Sequence, residues 1–209
     1  MEKVIIIDYG MGNLRSVFRA FEECGGNVEI SDDPKSLDTS THIVLPGVGA
    51  FGEAMKNLYD RGWTMAIQKN AVDEKIPMLG ICLGMQLLAT KSYEGGEHNG
   101  LNLVPGEVVR MESGNQGNGL RVPHIGWNEV NIEHNISPLL EGIHSHLDFY
   151  FVHSYIFKPF DKNHILATTP YGQSFTSIVS NKNIYGAQFH PEKSSTLGLR
   201  LIRNFLQIK

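Results

Sequence analysis

The sequence predicts an α/β fold. One domain over residues 1–209 is expected, with a central, largely parallel sheet flanked by helices and additional antiparallel strands in the second half. Three observations carry this. The first half alternates short apolar runs with amphipathic segments in a βαβαβαβα rhythm. Apolar residues make up 41% of the chain against 19% charged, enough for a sizeable core. Glycine, 22 of 209, gathers directly after strand-like runs, where backbones turn tightly or approach ligands.

Val4–Asp8 is a continuous apolar run ending in an acid, as in a strand buried on both faces. Asn13 is placed to cap a helix over Leu14–Cys24, whose Leu14, Val17, Phe18 and Phe21 share one face and which Gly25-Gly26 ends. Val28–Ile30 is a second strand, and Asp33-Pro34 opens a short helix. Ile43–Leu45 is a third strand, running into Pro46-Gly47-Val48-Gly49, and helical patterns follow over Phe51–Tyr59 and Met65–Glu74. Pro77–Ile81 is a fourth strand, with a helix over Leu83–Thr90 directly after it. In the second half Glu107–Met111, Trp127–Ile132, Phe149–Phe157, Phe175–Val179 and Ile184–Phe189 read as strands, Ser113–Gly119 as a loose hairpin tip, and Thr196–Ile208 as a closing helix.

Composition excludes several function classes. The net charge is −4 with no like-charge block, so neither a nucleic-acid footprint nor a polybasic membrane patch is present. Two cysteines make no disulfide framework and no zinc spacing, which points to a reducing, cytoplasmic setting. The start reaches Asp8 after four apolar residues, too soon for a signal-peptide core, and the longest uncharged stretch, Ile76–Thr90, falls short of a membrane span.

Gly80-Ile81-Cys82-Leu83-Gly84 sits between a strand and a helix in the glycine-x-nucleophile-x-glycine arrangement, with cysteine as the nucleophile. Flanking glycines let strand and helix approach, while the helix start favours thiolate and offers the Leu83 N–H to a developing oxyanion. Cys24, at a helix end, reads as a structural cysteine. A cysteine nucleophile needs a base and an orienter. His190 ends the Ile184–Phe189 run, and Pro191 after it imposes extended geometry, which turns His190 and Glu192 to one side. Pro46-Gly47-Val48-Gly49, one βα unit earlier, reads either as an ordinary strand-to-helix loop or as the source of further backbone N–H groups, at Val48 and Gly49, for the oxyanion.

Three other motifs carry no such reading. Gly10-Met11-Gly12 lacks the third glycine of a dinucleotide fingerprint, because position 15 is Arg15. Gly172-Gln173-Ser174-Phe175-Thr176 fails as a serine elbow at its last position, and His144-Ser145-His146-Leu147-Asp148 lacks a third metal-ligand cluster. Neither a metal nor a cofactor is expected.

Together, Gly80–Gln86, His190-Pro191-Glu192 and Pro46–Gly49 resemble the class I (triad) glutamine amidotransferases over essentially the whole chain. Ile7–Leu14 (IDYGMGNL), Pro123–Asn128 (PHIGWN), Phe149–Tyr155 (FYFVHSY) and Lys193 resemble the glutaminase subunits of imidazole glycerol phosphate synthases. The resemblance implies that single-domain amidotransferase fold and glutamine hydrolysis by Cys82, His190 and Glu192. It implies glutamine binding by Gly47, Gly49, Gln86 and the Ser154-Tyr155 backbone. It also implies a separate (β/α)8-barrel cyclase partner met by Asn13, Trp127, Tyr150 and Lys193, since about 200 residues leave no room for an acceptor site. A paralogue feeding a sugar-modifying amidotransferase shares these motifs. A cysteine γ-glutamyl hydrolase and a non-catalytic redox module would each use only part of them.

Overall fold

A computed structural model of the chain describes residues 2–112, 121–133 and 137–209; the hairpin tip expected at Ser113–Gly119 lies outside the described residues. Strands β1 (Lys3–Ile7), β2 (Asn27–Ser31), β3 (His42–Leu45) and β4 (Met78–Ile81) are the four apolar runs of the first half. Helix α1 (Leu14–Glu23) links β1 to β2, while α2 (Phe51–Asp60) and α3 (Trp63–Ile67) link β3 to β4. Helix α4 (Leu83–Leu87) leaves β4 after one residue. The second half contains β5 (Lys91–Ser92), β6 (His98–Asn99), β7 (Gly106–Arg110), β8 (His124–Ile132), β9 (Leu147–His153), β10 (Tyr155–Pro159), β11 (Ile165–Tyr171), β12 (Gln173–Asn181) and β13 (Ile184–Ala187), and α5 (Ser195–Leu206) closes it.

The main sheet runs β2-β1-β3-β4-β13-β12-β11-β8-β9, and a smaller sheet runs β10-β7-β5-β6. From β2 to β13 the strands are parallel; β12, β11, β8 and β9 then add on antiparallel. Successive side chains of the parallel strands enter opposite layers. Val4, Ile6, Val44 and Leu79 pack with Phe21 of α1 and Phe205 of α5. Ile5, Ile7, Ile43 and Met78 pack with Phe51, Leu58 and Trp63 on the other face. Each fully buried side chain of this size contributes about 1.5–3 kcal/mol. Among the described residues no helix is long and apolar enough to cross a membrane.

Five local expectations are corrected. The predicted strand Phe149–Phe157 breaks at Ser154, so that β9 lies in the main sheet and β10 in the smaller one. Apolar alternation continues through the break and hides it. The helix expected over Leu83–Thr90 stops at Leu87, because the N–H groups of Leu101 and Leu103 take the Leu87 and Leu88 carbonyls at 2.9 and 2.8 Å. The helix over Met65–Glu74 starts earlier, at Trp63, and becomes a π turn over Gln68–Asp73, with Glu74 N–H on the Lys69 carbonyl. Asn13 precedes α1, but its side chain makes no capping bond. Finally, β11 was not anticipated, since Thr168, Thr169 and Pro170 dilute its apolar pattern.

Candidate functional site

The C-terminal ends of β3, β4 and β13, three neighbours in the parallel block, bring the predicted residues together. Cys82 leaves β4 with φ 54° and ψ −110°, a region that side-chain-bearing residues seldom occupy, and its N–H is held by the Ala187 carbonyl at 2.8 Å. Glycine is required on both sides. A Cβ on Gly84 would stand 1.8 Å from the Leu45 carbonyl oxygen, and one on Gly80 would stand 2.6 Å from the Gly84 oxygen. A Cβ on Gly47 would meet the Tyr9 hydroxyl at 2.5 Å. Strand, turn and helix are therefore in backbone contact around the thiol.

His190 follows β13 and points its Nδ1 at Glu192 Oε1, 2.8 Å away, with the two side chains only 5% and 1% exposed. Burial works against a charged ring, but hydrogen bonds and charges from Cys82 and Glu192 outweigh it and push His190 up to about 9. The second Glu192 oxygen, Oε2, is buried without a partner among the described residues. The His190 main chain is pinned as well: its N–H donates to the Tyr150 carbonyl at 2.9 Å, and its carbonyl accepts from Ser194 Oγ at 2.6 Å.

A cavity of about 280 Å³ opens on Cys82 and His190, lined by Val48, Gly49, Leu83, Gln86, Glu94, Val152–Tyr155 and Lys193. The arrangement can generate a cysteine nucleophile, move its proton through His190, and hold a small amide substrate against it. Among the described residues no backbone carbonyl accepts from the N–H groups of Val48, Gly49 or Leu83, and Gly49 has φ 109°. Gln86 is buried, and its Nε2 donates to the Tyr155 carbonyl and to Gln188 Oε1, both at 3.0 Å. The Ser154 carbonyl accepts from Met111 N–H. The carbonyls of the Ser154-Tyr155 pair are thus committed within the protein, which narrows what that segment can offer a substrate to N–H groups and the Ser154 hydroxyl.

Of the residues expected at a partner surface, Trp127 (54% exposed) and Tyr150 face each other across β8 and β9 with ring centroids 5.9 Å apart. Lys193 reaches the cavity, whereas Asn13 is exposed on the loop after β1 and does not line it. That loop nevertheless abuts the Pro46–Gly49 segment, since Met11 Cε fills the space over Gly49.

Three residues of the site escaped the sequence. Gln188 Nε2 lies 3.9 Å from Cys82 Sγ; its position two before His190 in extended chain was the available signal. Tyr9 donates to the Pro46 carbonyl at 3.0 Å, and burial, then the charge of Cys82, push its hydroxyl pKa upward, so it remains a donor. Glu94 reaches the cavity from the β5–β6 turn while accepting from Phe51 N–H at 2.8 Å, and nothing local marks it.

A family model described as glutamine amidotransferase class-I matches residues 5–208. The chain belongs to the class-I glutamine amidotransferases. This amidotransferase is 46% identical to the imidazole glycerol phosphate synthase subunit HisH of Moorella thermoacetica, over 98% of the chain and 94% of the relative. It is 45% identical to the subunit of the same name from Geobacter sulfurreducens, over all of both chains. Among solved structures, a glutamine amidotransferase shares the fold at TM-score 0.74 and 20% identity, covering 97% of each chain. PurLQS of Thermotoga maritima does so at TM-score 0.70 and 20% identity, over 99% and 98%.

Proposed function

We propose that this chain is the glutaminase subunit of an imidazole glycerol phosphate synthase acting in the cytoplasm. It hydrolyses glutamine to glutamate and ammonia and passes the ammonia to a separate (β/α)8-barrel cyclase, which forms imidazole glycerol phosphate and an aminoimidazole carboxamide ribotide in histidine biosynthesis. The observation that carries this reading is the strained Cys82 beside the buried His190–Glu192 pair at the wall of a substrate-sized cavity. The near-full-length relatives, named as this subunit, support the choice of synthase.

The geometry supports the following steps. Cys82 Sγ attacks the glutamine carboxamide carbon. The resulting oxyanion is met by N–H groups of Leu83 and of the Val48/Gly49 peptide. His190, charged through its pairing with Cys82 and Glu192, donates a proton to the departing ammonia, then accepts one from the water that attacks the thioester. Glu192 orients the ring throughout. Glu94 is the cavity's carboxylate and takes the substrate α-ammonium, while the Ser154-Tyr155 N–H groups take its carboxylate. The partner docks on Trp127, Tyr150, Asn13 and Lys193, close to the Pro46–Gly49 segment. The test is ammonia release from glutamine by the co-purified pair with the cyclase's nucleotide ligand present. Turnover retained in Cys82→Ala, or no stimulation by the barrel subunit, would overturn the proposal.

A further inference from the structure

A hydrogen-bonded chain runs from the wall of the glutamine cavity into the strands behind it, through His153, His124 and Asn128, side chains to which the mechanism above assigns no part. His124 on β8 and His153 on β9 are paired across the strands, both rings are buried, and His124 Nδ1 lies 3.1 Å from His153 Nε2. His153 Nδ1 lies 2.9 Å from the Tyr155 carbonyl, which can only accept. At the other end Asn128 Nδ2 lies 3.3 Å from His124 Nε2 and donates to the Pro170 carbonyl at 2.9 Å, while Asn128 Oδ1 accepts from Glu129 N–H.

Carbonyls at both ends fix the direction of every proton between them. Asn128 donates to His124 Nε2, His124 Nδ1–H donates to His153 Nε2, and His153 Nδ1–H donates to Tyr155. The chain closes only if both rings are neutral and both carry their proton on Nδ1. A second proton on either ring would oppose two donors. The surroundings agree: the Phe151 and Tyr171 rings lie against the His124 ring with centroids 5.1 and 3.9 Å away, and Phe175 is 4.9 Å from that of His153. Burial pushes His124 down to about 4 and His153 to about 3, the latter against the raising effect of its bond to the Tyr155 carbonyl.

The Tyr155 carbonyl also accepts from Gln86, which in turn donates to Gln188, whose amide reaches the Cys82 sulfur. We infer that His124 and His153 are positioning residues of the glutamine site: the pair sets the Tyr155 carbonyl, and through it Gln86 and Gln188, for substrate at Cys82. The inference rests on the glutaminase reading. It also makes Asn128, on the strand that carries the exposed Ile125 and Trp127, the far end of a line to the nucleophile.

Two measurements on the full chain test this. In ¹⁵N-labelled protein at neutral pH, both imidazoles should appear as neutral Nδ1–H tautomers; an Nε2–H tautomer or a charged ring at either position overturns the chain of bonds. The second measurement is labelling of Cys82 by the glutamine analogue 6-diazo-5-oxo-L-norleucine. The half-saturating concentration should rise about tenfold in His153→Phe, which keeps the ring's shape, and return to within about threefold of the parent in His153→Asn, whose amide restores the donor to Tyr155. Equal half-saturation for His153→Phe and the parent overturns the positioning role, as does no recovery in His153→Asn. Should the parent react with iodoacetamide but not with the analogue, the glutaminase reading fails together with the positioning role, while the tautomers still report the bonds.

Discussion

Replacing Glu192 by glutamine isolates the orienting carboxylate with almost no change in shape. The amide has two ways to sit. With its oxygen on His190 Nδ1–H, the new –NH2 occupies the place of Oε2, which is buried without a partner among the described residues, at a cost of about 1–3 kcal/mol. With its –NH2 on Nδ1, the ring proton moves to Nε2, toward Cys82, and the ring can no longer take the thiol proton. Both arrangements remove a negative charge from beside the imidazolium. Opposite charges about 4 Å apart at an effective dielectric of 20 are worth about 4 kcal/mol, which caps the loss near 10³-fold. Because part of that attraction already acts on the charged His190 ring of the free enzyme, the expected fall in kcat is roughly 10²- to 10³-fold. The glutamine KM should stay within about threefold, since Glu192 does not line the cavity. The assay is ammonia release by the partnered enzyme across pH 6 to 10. Losing the carboxylate should also move the high-pH limb below its parent position near 9. A variant that keeps more than about a tenth of the activity at neutral pH, with the limb unmoved, would refute the assigned role.

Three further outcomes follow from the same structure. Gly84→Ala must separate α4 from β3 by about 1.6 Å, from 1.8 Å to the ordinary 3.4 Å contact; at ~10²-fold per ångström of misplacement, kcat/KM should fall at least that far, with a lower melting temperature by calorimetry. Glu94→Gln should raise the glutamine KM by about 10- to 100-fold with kcat nearly unchanged, as steady-state kinetics would read for a lost charged contact to substrate. Stability should peak near pH 6.5. Above it the raised His190 loses its contribution as pH climbs toward about 9, and below it the unfolded chain takes up protons that His124 and His153 refuse down to about 4 and about 3. Each histidine adds up to about 1.4 kcal/mol per pH unit on its own side, and a flat thermal-denaturation profile from pH 5 to 9 would contradict these assignments.

How much of this was legible depends on where the constraint on each residue comes from. Gly80, Cys82 and Gly84 answer to one strained turn. His190, Pro191 and Glu192 answer to an extended His190 entering a 3-10 turn over Pro191–Lys193, which replaces the fully extended step expected from Pro191. In both cases the types and spacing record the geometry within a few residues. The central parallel strands β1, β3 and β4 are equally local, each a largely apolar run that both layers need. The break at Ser154 is not, because one pattern feeds two sheets and the choice between them is made by β7 and β8. The residues that support the nucleophile are further still from local reading. Gln188 meets Cys82 across 106 positions, Glu94 meets Phe51 across 43, Tyr9 meets Pro46 across 37 and His124 meets His153 across 29. No window along the chain contains both members of any such pair.

That division has a physical consequence for how the site can be altered. The locally encoded turn leaves little slack, because its glycines are in backbone contact and any added atom must move a strand or a helix. The supporting shell is held by hydrogen bonds between side chains and single carbonyls, each worth only about 1 kcal/mol net. Displacements there are therefore energetically accessible where displacements of the turn are not. Two features place the exposed edge in that softer set: the Tyr150 carbonyl holds the His190 N–H, and the His124–His153 pair ends on the carbonyl that holds Gln86. A partner pressing on Trp127 and Tyr150 would thus act on the orientation of the base and the substrate cradle, and leave the nucleophile's own strained backbone undisturbed.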